Sequence, residues 1–262
     1  MTEGGERGAF DAYVEGWLAH EPEMRLARAL VATTREPVFE ALSVFDSLLL
    51  DAALDVRDTS VAAAKLAWWR AELVGSHDAL RHPVSIRLAT LGALEPGALL
   101  ARVDAALALA EIESPPDPEA LLAAFAAFAR ASEPTFGTAI QRALGAAILA
   151  MRLRRWPVFA REGRSRLPLA TLAALGVTRA QAADDAVAGG RVLASLAGIL
   201  APMLEVSDAG LPVALRARLA AARGLVVAML RSPARAVSGT ARAAALPLLW
   251  NLWRAARSAR MP

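Results

Sequence analysis

The breaks in this chain are what most constrain its fold. Prolines and N-capping residues cut the 262 residues into roughly ten segments, each dominated by Ala, Leu and Arg and poor in β-branched and aromatic residues, so each reads as a helix. The first spans about Phe10 to Thr33, and Glu36-Pro37 opens a second that carries Ala41 to Asp55. Asp58-Thr59-Ser60 is an N-cap cluster before a third, and His82-Pro83 starts a fourth that ends near Gly92. Glu95-Pro96-Gly97 precedes Ala98 to Ile112, Ser114 to Pro118 caps Glu119 to Ala131, and Glu133-Pro134 leads into a long helix to about Trp156. Pro157 to Leu167 reads as a basic loop. Later helices cover about Leu169 to Leu175, Arg179 to Val206, Pro212 to Leu230 and Pro233 to Arg260. With no internal repeat and no long linker, the expectation is one all-α domain over residues 1–262.

Several chemistries are excluded at this stage. There is no cysteine, hence no disulfide, thiolate nucleophile or Cys-ligated metal. His20, His77 and His82 have no metal-ligand spacing. Asp184-Asp185 points two carboxylates about 100° apart on a helix and reads as solvent-exposed, and Gly189-Gly190 lacks the rest of a phosphate loop. The basic stretch carries no interleaved aromatics beyond Trp156 and Phe159, so no nucleic-acid partner is expected. The N-terminus is acidic and polar where a signal peptide is basic and then apolar. The most apolar stretches, Val192 to Val206 and Leu219 to Leu230, are too short for ~30 Å of hydrocarbon, which leads to the expectation of a cytoplasmic protein.

Charge is divided along the chain. Residues 1–133 hold 21 Asp/Glu against 11 Lys/Arg, and residues 134–262 hold 5 against 18, so a net of −10 is followed by +13. Nine arginines and no acid follow Asp208. Such a half suits an anionic partner, whereas an Arg-rich background of 28 Arg to one Lys offers the plainer explanation of a solvated face.

A Trp pair stands out within this Ala/Leu pattern. In Lys65 to Leu73 (KLAWWRAEL), Ala62, Leu66, Trp69 and Leu73 share one helical face, and Trp68, Arg70 and Glu72 lie off it, so Trp69 reads as a core anchor. The string resembles the W-W-R signature of the squalene/phytoene synthase family. Arg35, Ala41-Leu42-Ser43-Val44-Phe45, His82-Pro83-Val84 and Gly163-Arg164-Ser165-Arg166-Leu167-Pro168 match further elements of that family in order and spacing. The resemblance implies the all-α isoprenoid synthase fold, a helical bundle around a central apolar cavity, with Phe45, Trp69 and Phe159 as cavity lining.

In that family two Asp-rich helices clamp Mg²⁺ against the substrate diphosphates. Asp51 and Asp55 lie one helical turn apart, as a metal bridge needs. Aligned without gaps from Ala41 to Phe45, however, Leu50 and Leu54 take the metal-binding positions, and this register leaves Asp51 as a polar residue at the cavity mouth. At the second motif the resemblance places Arg155 and Phe159 where the family has aspartates. A guanidinium cannot ligate a cation, and Phe has no donor atom. The pattern therefore resembles a degenerate branch that includes the mitochondrial complex I assembly factor, with no metal and no cofactor.

Six arginines, Arg152, Arg154, Arg155, Arg161, Arg164 and Arg166, crowd this second motif with only Glu162 to offset them. Arg152, Arg155, Arg161, Arg164 and Arg166 are the candidate ligands for the phosphate of an isoprenoid or anionic lipid, and solvated arginines at a helix end are the plainer reading. Leu246, Leu249, Trp250 and Trp253, followed by Arg254, Arg257 and Arg260, form a face suited to peripheral contact with the inner side of a membrane. It equally suits a last bundle helix, and Pro247 interrupts it. Two functions stay open: a non-catalytic binding or assembly protein, and a prenyl transferase acting on farnesyl or geranylgeranyl diphosphate in isoprenoid biosynthesis, in which Asp51 and Asp55 retain Mg²⁺.

Overall fold

The computed structural model describes residues 3–30, 36–76, 79–162, 166–208, 210–238, 249–250 and 253. These residues are helical or connecting, with no strand among them. The chain forms two compact units, Met1–Glu111 and Ile112–Pro262.

The first unit comprises α1 (Glu3–His20), α2 (Glu23–Leu30), α3 (Glu36–Leu54), α4 (Thr59–Val74), α5 (Pro83–Thr90) and α6 (Pro96–Ala110). The single opening helix expected from Phe10 to Thr33 is in fact two, because Glu21-Pro22 interrupts it; a proline interior to a helix loses a hydrogen bond and clashes with the preceding turn. Helix α4 starts where its cap predicts: Asp58 accepts from the Ser60 amide at 2.8 Å. Helix α3 is central, packing on α1, α4, α5 and α6. Its buried face includes Val44, Phe45, Leu49 and Ala53, and it meets the α4 stripe of Ala62, Leu66, Trp69 and Leu73, all buried as the helical spacing requires. Asp46 and Arg102 join α3 to α6 through a buried ion pair of 2.9 Å.

The second unit comprises α7 (Pro118–Ser132), α8 (Thr138–Leu153), α9 (Trp156–Arg161), α10 (Leu169–Leu175), α11 (Arg179–Asp184), α12 (Ala186–Met203), α13 (Val213–Arg231) and α14 (Pro233–Val237). Two sequence expectations are corrected here. The basic loop expected from Pro157 contains α9, because Pro157 occupies the first turn, where its missing N–H has no intrahelical partner to lose. The helix expected from Arg179 to Val206 is broken at Asp185, whose extended backbone ends α11 and whose side chain accepts from the Val187 and Ala188 amides to cap α12. Asp184 and Asp185 are both exposed, as the sequence suggests, and Asp185 is in addition the cap of α12.

Helix α12 also corrects the estimate of apolar length. Ala186–Leu204 has 19 residues at mean hydropathy 1.6, long and apolar enough by those measures to cross a bilayer, and half of it is buried within the protein. Glycines let backbones of this unit approach closely. A Cβ on Gly145 of α8 would lie 2.6 Å from the Ala126 amide nitrogen of α7, and one on Gly189 of α12 would lie 2.5 Å from the Ala182 carbonyl of α11. Past α14, Leu249, Trp250 and Trp253 are exposed, with the two indoles stacked at 5.0 Å. Leu246, Pro247, Arg254, Arg257 and Arg260 lie outside the described residues.

Candidate functional site

The first unit contains a cavity of about 590 Å³. The last turn of α3 supplies Asp51, with Asp55 just past its end; the Asp55 amide donates to the Asp51 carbonyl at 3.0 Å, continuing the helical rise that sets both carboxylates one turn apart. Helix α4 supplies Lys65, Trp68 and Trp69, placed together by their i, i+3, i+4 spacing. Tyr13 of α1 and His82, the N-cap of α5, complete the polar and aromatic lining, and Leu48, Ala52 and Val56 complete the apolar one. His20 approaches from α1, its Nδ1 3.8 Å from Asp51 Oδ2.

Glu72 explains why His82 is where it is. Although it lies off the apolar stripe of α4, it is only 8% exposed, because three donors converge on one of its oxygens: the Arg81 and His82 amides at 2.7 and 2.8 Å and the Ser85 hydroxyl at 2.5 Å. Burial pushes its carboxyl up, but the His82 amide, the Ser85 hydroxyl, the Arg81 amide and the charge of His82 together hold it below its ordinary value. The connection between α4 and α5 is thereby tied to α4, and the imidazole of His82 is set among aromatic rings. Its centroid is 4.6 Å from Trp69, 4.7 Å from Tyr13 and 5.8 Å from Trp68. Burial lowers its pKa, and the nearby Glu72 charge offsets this only in part. Because His82 Nδ1 accepts from the Val84 amide at 3.2 Å, the neutral ring carries its proton on Nε2.

The residues singled out in sequence fall into both units. Asp51, Asp55 and Trp69 line the first-unit cavity together. Phe45 does not: it is wholly buried behind Trp69, edge-to-face at 5.1 Å. Leu50 and Leu54 are buried apolar residues of α3 at 3% and 9% exposure. In the second unit Arg152 and Arg154 are buried, and Arg155 places its guanidinium 5.0 Å from the centroid of the buried Phe159 ring. Arg166 Nη1 donates to the Ile112 carbonyl at 2.9 Å. The Arg161 side chain, Gly163, Arg164 and Ser165 lie outside the described residues, as do Arg35 and His77. Among the described residues no three His, Asp or Glu side chains come together as a metal cluster.

Sequence reading missed Tyr13, Lys65 and Glu72. The first two carried no local signal. For Glu72 the position three residues after Trp69 and one before Leu73 was a usable hint, because it sets a carboxylate at the edge of a buried stripe.

Neither a scan against protein-family models nor a search of curated proteins finds a match. Among solved structures, the chain is similar to squalene synthase HpnC from Alicyclobacillus acidocaldarius, at 18% identity and a TM-score of 0.51, over 99% of this chain and 95% of that one. The fold is the all-α isoprenoid synthase fold. At that identity the likeness carries architecture, and chemistry has to be argued from the side chains present.

Proposed function

We propose that this chain is a squalene/phytoene synthase-family protein that holds a prenyl phosphate or anionic lipid without metal and has lost Mg²⁺-dependent prenyl transfer, like the degenerate branch to which assembly factors belong. One observation carries the reading: Arg155 lies over the Phe159 ring at the two positions where the resemblance calls for metal-binding aspartates. A fixed positive charge there repels a divalent cation and attracts the phosphate the cation would have held. Buried Arg152, three residues before Arg155, and Arg154, next to it, strengthen the same preference. The protein would act in the cytoplasm at the inner face of a membrane, touching it through the exposed Leu249, Trp250 and Trp253.

A second reading has a specific observation in its favour. Asp51 and Asp55 line one cavity, so an active transferase would retain a place for one Mg²⁺. Incubation with farnesyl or geranylgeranyl diphosphate and Mg²⁺, followed by assay of pyrophosphate release, separates the two. No turnover, with prenyl diphosphate still bound, supports the non-catalytic reading; turnover that Asp51→Ala abolishes overturns it.

A further inference from the structure

We propose that the first-unit cavity binds a pyranose sugar, stacked on its aromatic wall and held through its hydroxyls.

Hydroxyl chemistry follows from what the lining leaves open. Tyr13, Lys65, Trp68 and Trp69 carry O–H or N–H donors that make no hydrogen bond or ion pair within the described structure. His82 uses Nδ1 to accept from the Val84 amide, which leaves its Nε2–H as a donor without a protein acceptor. Trp69 is the most telling of these: it is 5% exposed and its indole N–H has no acceptor, yet unlike that of Trp17 it is not sealed in the interior. The opening it reaches is the cavity its ring lines.

The same cavity offers acceptors. Asp51 and Asp55 line it, and a carboxylate has about four lone-pair sites, so the contact of Asp51 with His20 leaves room for a ligand at a side chain still 27% exposed. An ammonium or metal ion would engage the carboxylates and turn the N–H edges of Trp69 and His82 toward positive charge. A phosphate would take those donors and crowd its charge against Asp51 and Asp55. A hydroxyl donates and accepts through one oxygen, so several on one uncharged molecule serve both sets, whatever the net charge of the unit.

The ring follows from the wall. Tyr13, Trp68, Trp69 and His82 are neighbours at centroid distances of 4.6–5.8 Å, and Trp68, 43% exposed, keeps indole surface uncovered. A saturated ring carries C–H groups on its faces and hydroxyls at its edge, so its body can lie on an indole while its edge reaches the donors and carboxylates. A linear polyol with the same hydroxyls would lose more rotational freedom on binding. A volume of about 590 Å³ is in the range of small-molecule sites.

The test titrates the intact chain in EDTA with the methyl glycosides of glucose, galactose and mannose and with maltose and lactose, read by calorimetry and tryptophan emission. At least one sugar should bind and shift the emission, and tetrahydropyran-2-methanol, which keeps the ring but lacks the ring hydroxyls, should bind at least about tenfold more weakly. Tyr13→Phe removes a hydroxyl that bonds nothing in the protein, so it should weaken the sugar about fivefold at an unchanged melting temperature. Trp68→Leu keeps apolar area but loses the flat face, and should also weaken the sugar about fivefold. Failure of all these sugars to bind, equal binding of tetrahydropyran-2-methanol, wild-type affinity in both variants, or displacement of the sugar by geranylgeranyl diphosphate would each overturn the proposal. The arginines of the second unit take no part in it, so phosphate binding there can fail without changing this result.

Discussion

The two units are built from the same Ala/Leu helices but set helix register by different means. In the first, directed polar contacts pin the helices: Glu72 collects three donors, and Asp46 pairs with Arg102 in the interior. In the second, missing side chains act beside polar ties such as those from Arg223 to the Leu204 and Val206 carbonyls: Gly145 and Gly189 each let a neighbouring backbone come nearer than any Cβ would allow. The difference shows what a composition short of aromatic and β-branched residues requires. Smooth helices carry little shape to specify one packing, so a buried bond or a notch must supply it. One consequence is a first unit that responds to pH and a second that responds to side-chain size.

Substitutions can break this contrast, beginning with the largest effect. Trp69→Ala empties a site 5% exposed against Phe45 and should cost about 4 kcal/mol in chemical denaturation, whereas Trp68→Ala should cost under about 1 kcal/mol. Equal losses from the pair would undo the assignment of anchor and wall. Gly145→Ala should cost about 3 kcal/mol, because the atoms its Cβ would meet are the backbone of Ala126 and Phe125 and cannot swing aside. A neutral result would show that α7 and α8 do not depend on the notch. Glu72→Ala strands the Arg81 and His82 amides, while the Ser85 hydroxyl keeps the His82 carbonyl as acceptor, and should cost about 2 kcal/mol, visible as a lower melting temperature.

The pH response is the smallest of these effects and locates itself in the first unit. His82 has a folded pKa below its ordinary 6.5, so its contribution is complete above 6.5 and is lost as pH falls through the lowered value. Glu72 lies below its ordinary 4.5, and its contribution is complete above 4.5 and lost as pH falls further. Both slopes have the same sign: stability should decline on acidification, starting near pH 6.5 and steepening below 4.5. Glu72→Gln should shrink the lower leg of a melting-temperature profile, leaving the part due to Asp58, which its bonds to Ser60 also hold below the ordinary carboxylate range, and a profile flat from pH 7 to 4 would contradict the arrangement.

Most of the architecture was legible because breaks are local. Pro83, Pro96 and Pro118 each sit at a helix start, and Asp58 and Asp117 cap as their residue type suggests. Two breaks differ from the sequence reading because one residue type has two uses: Pro157 lies in the first turn of α9 rather than in a loop, and exposed Asp185 ends α11 and caps α12 inside what reads as one helix. The site was legible only where one helix carries it. Asp51 with Asp55, and Trp69 with its stripe, follow from spacing along one helix. Tyr13 and His82 reach the same cavity from α1 and the start of α5, a pairing of distant segments that periodicity does not encode. Burial of Glu72 depends on amides nine and ten residues further on, so its charge misled.

Metal independence is tested most directly by titrating geranylgeranyl diphosphate into the intact chain, once in EDTA and once in excess Mg²⁺. Saturable binding in EDTA, weakened by added salt and not strengthened by Mg²⁺, is the predicted result. Binding that appears only with Mg²⁺ and is followed by pyrophosphate release would contradict it.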